Sequence, residues 1–450
     1  MVRVTDMTHG RPIRLILLFS LPLMLGSVFQ QLYTIVDTII IGRGVGMQAL
    51  ASIGAADWIN WLVLWGLQGF TQGFAILAAQ EFGAGAYDRL RRVLAMIVKL
   101  SCWFGIAVTI ISLLLVRPLL TLLHTDPAVF GGAQTYLYVQ FGGSLIIIAY
   151  NMAAAVLRCL GDSRTPLFAI IAASFANIAL DLLFVMGFGW GIFGASFATV
   201  LAQLIAFLLC LRSLRRLPFV QLTKADWKTD PAILLHLCRL GIPTGLQMSM
   251  ITLGGMVLQS VLNGFGVVFV AGYTAANKLY GILESASVAF GYAMTAYMGQ
   301  NRGARNAARI DAGIRAVLAL SAGFTAAIVT AMLLAGKPLL GLFLSTEEAG
   351  AADALAVAYQ YLMVLMAFLF ALFMLQAYRS SLQGLGEMTV PTLSGFAEML
   401  MRMGAALVLP AFIGQSGVFF AEGAAWVCAA ALNLVWYYIR IGKIKRDMLK

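Results

Sequence analysis

Asp37, Asn177 and Asp181 are strongly polar side chains set inside apolar runs, where such groups are expensive and call for an explanation. Leu15 to Ile41 has Asp37 as its single formal charge. It exceeds the roughly 20 apolar residues that cross about 30 Å of hydrocarbon at 1.5 Å per residue. Tyr33 and Gln30 lie four and seven residues before Asp37, so one face of that helix is polar while Leu, Ile and Val cover the others. Two readings are open: a structural carboxylate hydrogen-bonded between helices, or a proton or cation site facing water. Ser174, Asn177 and Asp181 form a second polar face, Ser196, Thr199 and Gln203 a third, and Gln140, Ser144 and Asn151 a fourth. Any one of these suits interhelical hydrogen bonding, but together they predict a wet cavity walled by Gln30, Tyr33, Asn151 and Thr199.

The elements that must hold these residues follow from composition. The 450-residue chain is 61% hydrophobic and 11% charged, with a mean hydropathy of +0.90, which predicts an all-α polytopic membrane protein. Twelve apolar spans are expected near 13–41, 52–79, 93–116, 134–158, 166–187, 192–211, 240–264, 268–297, 315–335, 359–380, 391–413 and 418–441. An even count puts both termini on one side of the membrane. That side holds 24 of the 30 Lys and Arg residues, from Arg3 to Lys450, and the opposite loops hold Arg43, Arg117 and Lys337. The asymmetry predicts cytoplasmic termini, and the chain is expected to be a multi-pass protein of the plasma membrane, of the bacterial inner-membrane type. Net charge of +11 is therefore a topology signal, with no nucleic acid implied. The first span is too long for a signal-peptide core and is expected to stay in the protein. Cys102, Cys159, Cys210, Cys238 and Cys428 show neither paired nor metal-binding spacing, and no metal cluster is expected.

The chain repeats itself. A shift of 220 maps Gln80 onto Gln300, Gly83-Ala84 onto Gly303-Ala304 and Pro118-Leu-Leu onto Pro338-Leu-Leu. A shift of 225 maps Tyr136-Leu137 onto Tyr361-Leu362 and the 157–166 turn onto 382–391. Two pseudo-symmetric six-helix lobes, 1–220 and 221–450, are predicted in one orientation, joined by the basic segment 212–239. Their chemistry differs, because Asp37 maps to Val257, Asn177 to Arg402 and Asp181 to Ala406. In the second lobe Lys278 and Glu284 fall in the eighth span. Glu398 and Arg402 form an i,i+4 pair able to neutralise itself. Trp58, Trp61 and Trp65 read as an interfacial belt. His9, His124 and His236 are scattered, and no HExxH, GxSxG or Walker motif is present, which argues against an enzyme and against direct use of ATP.

Pro22 through Gly42 with Gln30, Gln31, Tyr33 and Asp37, the run Ala49-Leu-Ala-Ser-Ile-Gly54, the Gly-Asp-Ser-Arg-Thr-Pro turn at 161–166, and Asn177-Ile-Ala-Leu-Asp181 together resemble a multidrug and toxic compound extrusion (MATE) transporter. The resemblance covers essentially the whole chain. Asp37, Asn177 and Asp181 resemble the N-lobe acidic site of the DNA-damage-inducible F branch of that family. The resemblance implies H+- or Na+-coupled antiport of amphipathic, often cationic, small organic compounds by alternating access, with no cofactor and a monomer in the bilayer. It makes Thr199 a match to a hydroxyl near the cation site and Pro22 a match to the proline at which the first helix bends. Sodium, if used, falls on Asp37, Asn177, Asp181 and Thr199. A flippase of lipid-linked precursors is the related alternative, though the first lobe's spans lack a cationic cluster for a pyrophosphate. Span one ends five residues past Asp37 and span five six past Asp181, so both carboxylates are expected about 8 to 9 Å below the outer end. Equal depth lets them act as one titrating unit.

Overall fold

In the computed structural model, which describes residues 4–343 and 350–449, every regular element is a helix. Arg3 and Lys450, both in the charge count, lie outside the described residues. The first half comprises α1 (Pro12–Gly44), α2 (Met47–Gly83), α3 (Tyr87–Leu122), α4 (Pro127–Gly142), α5 (Ser144–Cys159), α6 (Arg164–Asp181) and α7 (Gly191–Arg215). The second comprises α8 (Pro231–Asn263), α9 (Val267–Gly303), α10 (Ala307–Gly341), α11 (Ala351–Gly384), α12 (Thr389–Ile413) and α13 (Phe420–Leu449). Among the described residues ten helices are long and apolar enough to cross a membrane, and the bent pair α4–α5 makes an eleventh. The twelfth span is α9, which has 37 residues but falls short in hydropathy. Ala293, Met294, Tyr297 and Met298 are fully buried by neighbouring helices, so α9 needs less apolar surface than a lipid-facing span.

The fourth predicted span is not one straight helix. It breaks at Gly142-Gly143-Ser144 with a bend of 50°. A methyl group on Gly143 would meet Val200 of α7 at 2.5 Å, so the bend coincides with a close approach that only glycine permits. Its counterpart α11 is a continuous 34-residue helix. The repeat is otherwise visible in the turns. Left-handed backbone occurs at Gly46 and Gly266, at Gly85 and Arg305, at Gly161 and Gly386, and at Gly189 and Gly414, matching the shifts of 220 and 225. Arg305, at φ 55°, is the one of these eight positions without glycine and accepts the associated strain.

Two compact units form, and they do not follow the midpoint of the sequence. The first contains residues up to Asp6 and Leu21–Gly245, the second Met7–Ser20 and Leu246–Lys450. Close packing explains why the first extends to 245: a Cβ on Gly73 of α2 would lie 2.6 Å from Cα of Gly241, and one on Gly245 2.5 Å from the Phe70 ring. In the second unit Met7 is fully buried, its amide donating to Gln300 Oε1 at 2.8 Å and its carbonyl accepting from Asn301 and Arg309. Both α1 and α8 thus change unit part-way along. Pro22 lies just past the first change and Pro243 just before the second.

The segment between α7 and α8 is held to the first unit by Lys99, whose ammonium donates to the carbonyl of Trp227 at 2.5 Å and to Thr229 at 2.9 Å. Asp226 Oδ2 there accepts from the amide and hydroxyl of Thr223, both at 2.7 Å, with Arg91 at 3.7 Å. Desolvation opposes the charge on Asp226, but these donors and the nearby arginines outweigh it and hold the carboxyl below its ordinary range.

Candidate functional site

Helical spacing on α1 puts Gln30, Tyr33 and Asp37 on one face, and on α6 it does the same for Ser174, Asn177 and Asp181. Asp181 is fully buried and Asn177 is 1% exposed. The two carboxylates lie within electrostatic reach of each other, and the Tyr33 hydroxyl is within reach of both. Neither oxygen of Asp181, nor Oδ1 of Asp37, nor either amide atom of Asn177 has a hydrogen-bond partner among the described residues. Two ionised carboxylates have no proton to offer one another, so burying them together is costly until a proton or a cation joins them. Immediately after Asp181 the helix widens into a π turn, Leu182–Gly187, the kind of irregularity often found beside functional residues.

A narrow crevice with about 320 Å³ of empty space, constricted to the width of a water molecule, runs along this face. Its lining includes Gln30, Tyr33, Asn177, Thr199 and Gln203. The α1 and α6 members of this lining precede Asp37 and Asp181 in sequence, and neither acid is itself part of the lining. On the other side Ile40, Ile41, Ala49, Val185 and Ala195 pack into an apolar plug. Along α1 and the α6 helix with its π turn, the carboxylates are thus preceded by crevice-lining residues and followed by residues of the apolar cluster.

The remaining residues singled out from sequence fall as follows. Thr199 lines the crevice and donates its hydroxyl proton to the Ala195 carbonyl at 3.2 Å, which leaves its lone pairs available as acceptors. Asn151 is not among the lining side chains. Its amide donates to the Ile147 carbonyl at 2.9 Å, and the neighbouring Tyr150 takes the crevice wall instead. Pro22 is inside a continuous helix. Three residues escaped the sequence reading: Tyr136 of α4 accepts from Asn60 Nδ2 at 3.2 Å and stands within reach of Asp57, Asp37 and Tyr33. The three-residue spacing of Asp57 and Asn60 on α2 was the available signal.

The second unit carries its charges differently. Glu398 of α12 meets Arg402 at 3.2 Å and Arg379 of α11 at 2.5 Å, and Arg402 meets Glu422 of α13 at 2.8 Å. Arg402 also donates to the Ile251 carbonyl of α8 at 2.9 Å. Glu284 of α9 lies beside Tyr280, within reach of Glu422 and Arg402. No cluster of three or more His, Cys, Asp or Glu residues suited to a metal ion occurs among the described residues.

The MatE family model matches twice, at residues 22–183 and 243–408, together well over half of the chain. The chain belongs to the MatE family. These are transporters and not enzymes. The two matches begin at Pro22 and Pro243, the prolines near which α1 and α8 change unit. The curated relative "Probable multidrug resistance protein YpnP" of Bacillus subtilis is 32% identical over 455 residues, covering 99% of this chain and 98% of its own length. A MATE crystal structure in a bent conformation matches with a TM-score of 0.89 at 24% identity, covering 100% of both chains. Another, in a straight conformation, gives 0.89 at 23% identity, covering 99% of this chain and 100% of its own. These structural matches agree with the all-α, twelve-span fold.

Proposed function

We propose that this chain is a cation-coupled exporter of small amphipathic, often cationic, organic compounds, and that Asp37 and Asp181 are its coupling pair. The observation that carries this reading is that both oxygens of the buried Asp181 and Oδ1 of Asp37 lack hydrogen-bond donors among the described residues, while Asn177, one turn from Asp181, lines a crevice. A proton shared by the pair turns repulsion into a carboxyl-to-carboxylate hydrogen bond and removes one unit of the charge that would retain a cationic substrate. Asn177 serves either state, because its amide can donate to a carboxylate or accept from a carboxyl. The multidrug-resistance name of the Bacillus subtilis relative supports small organic substrates.

Alternating access follows from a site sealed on one side by Ile40, Ile41 and Val185 and open on the other, with Pro22 supplying the give in α1. Proline at 22 has no amide hydrogen for the Leu18 carbonyl, so the helix is weakest where it changes unit. The basic bias of the loops favours cytoplasmic termini, which would put the apolar plug on the outer side. The chain acts as a monomer and needs no cofactor beyond the coupling ion.

Sodium is the second reading, favoured by the available oxygens of Asn177 and Thr199 beside the acids, since a hard cation takes oxygen ligands. Proteoliposomes preloaded with a fluorescent organic cation and given a proton or a sodium gradient in turn decide between them. Efflux under neither gradient would overturn the coupling proposal.

A further inference from the structure

Where the end of α2 meets the starts of α3 and α8, within the first unit, lies a cavity of about 320 Å³ lined by Leu77, Arg89, Arg92, Asp230, Ile233 and His236. Arg89 is committed to Glu81 at 3.0 Å. Arg92 is exposed and makes no hydrogen bond or ion pair among the described residues; it acts on Glu81 and Asp226 only through space. On the opposite wall Asp230 spends Oδ1 on capping α8, accepting from the amides of Ala232 at 3.0 Å and Ile233 at 3.2 Å. Its Oδ2 has no partner among the described residues. The pocket therefore presents one uncommitted guanidinium and one uncommitted carboxylate oxygen, with apolar walls at Leu77 and Ile233.

Such a pair of opposite charges complements a zwitterion better than an anion. Arg92 suits a phosphodiester, and Asp230 suits an ammonium. Position identifies the source. The apolar runs of α3 and α8 both begin a few residues past this pocket, which sets it at the level of lipid headgroups. Leu235 and Ile242, on one face of α8, are 53% and 45% exposed and offer a surface for acyl chains. We propose that this pocket binds the headgroup of a phospholipid of the phosphoethanolamine type, phosphate to Arg92 and ammonium to Asp230. The site is distinct from the Asp37–Asp181 pair and stands whether or not that pair couples transport.

The test uses the full chain, purified in detergent, stripped of lipid and offered phosphatidylethanolamine or phosphatidylglycerol with identical acyl chains, with retention read by native mass spectrometry. Wild type should retain the ethanolamine lipid about fivefold over the glycerol lipid, the discrimination expected of one exposed ion pair. Asp230→Asn keeps a good helix cap and should erase that preference without lowering total phospholipid binding. Arg92→Gln should weaken retention of both lipids. Equal or better retention of phosphatidylglycerol by wild type overturns the proposal, as does an Arg92→Gln variant that retains lipid normally. Soluble phosphoethanolamine or inorganic phosphate competing as well as the lipid would also overturn it, because the apolar face of α8 would then contribute nothing.

Discussion

Asn177 on α6 and Arg402 on α12 occupy equivalent positions under the 225-residue shift, and the two units resolve the same problem in opposite ways. Each buries carboxylates in a helix bundle. The second supplies their counter-charge covalently, as guanidinium groups of Arg379 and Arg402 bonded to Glu398 and Glu422. The first leaves Oδ1 of Asp37, both oxygens of Asp181 and both amide atoms of Asn177 without partners among the described residues. A tethered cation cannot leave, so the second arrangement is suited to holding α8, α11, α12 and α13 together. An untethered deficit of positive charge is suited to exchange with the surroundings. One backbone plan thus carries tethered guanidinium groups in one half and acids without a tethered counter-charge in the other.

The largest expected effect separates the halves by function. Asp37→Asn and Asp181→Asn should each reduce gradient-driven efflux to the uncoupled background while leaving thermal unfolding near wild type, since Asn keeps size and polarity and removes an uncompensated charge. Proteoliposome efflux and unfolding in detergent are measured side by side. Wild-type efflux from both variants would make the first unit's acids as structural as the second unit's.

The opposite signature is expected of Arg402→Leu or Glu398→Leu. Removing one partner of a buried ion pair leaves the other charge stranded, at a cost of about 3–5 kcal/mol. Unfolding temperature and membrane yield should fall sharply, and transport only in proportion to the protein that remains folded. A stable, fully folded Arg402→Leu protein with lost coupling would erase the distinction between the units.

The distinction was only partly visible in the sequence. Repeat, span count and polar stripes were legible because they depend on local spacing and on side chains that lipid excludes. Glu398 and Arg402 were found for the same reason, being one helical turn apart. Arg379 and Glu422 were not recognised as partners of that pair, because their contacts join helices distant in sequence and each reads singly as an end-of-span charge. The bend at Gly143 was likewise hidden, since what makes glycine necessary there is Val200 on another helix. Asn151 satisfied the spacing rule yet turned its amide to its own backbone, a choice that spacing cannot reveal.

A smaller effect is expected at Pro22, where α1 passes from one unit to the other. Pro22→Ala restores an amide to a helix interior in which proline costs about 3 kcal/mol relative to alanine. The variant should be somewhat more stable and several-fold slower in turnover, with binding of a fluorescent organic cation little changed. Pro243→Ala is the control from the equivalent position of α8, and similar slowing there would mean that both exchanged helices flex. Unchanged turnover in both variants would remove the prolines from the transport cycle.

The smallest effect is expected outside the membrane, at an acid whose partners are complete. Thr223, Arg91 and Arg92 hold the Asp226 carboxyl below its ordinary range despite desolvation. A depressed folded-state value means that the stabilisation is fully present above the unfolded carboxyl value, near 3.9, and is lost as pH falls through the lower folded value. Local loosening of the 223–227 turn should therefore begin only in strong acid and be reported by the fluorescence of Trp227, which is 40% exposed and whose carbonyl is held by Lys99. The change belongs to a carboxylate near the surface whose arginine stands 3.7 Å away and is partly screened by solvent, and it should be worth less than about 1 kcal/mol. Asp226→Asn should abolish the acid transition while leaving the pH profile of efflux unchanged. If that substitution moves the transport profile instead, the pH response does not belong to Asp37 and Asp181 alone, and the contrast between a satisfied acid and an unsatisfied pair loses its meaning.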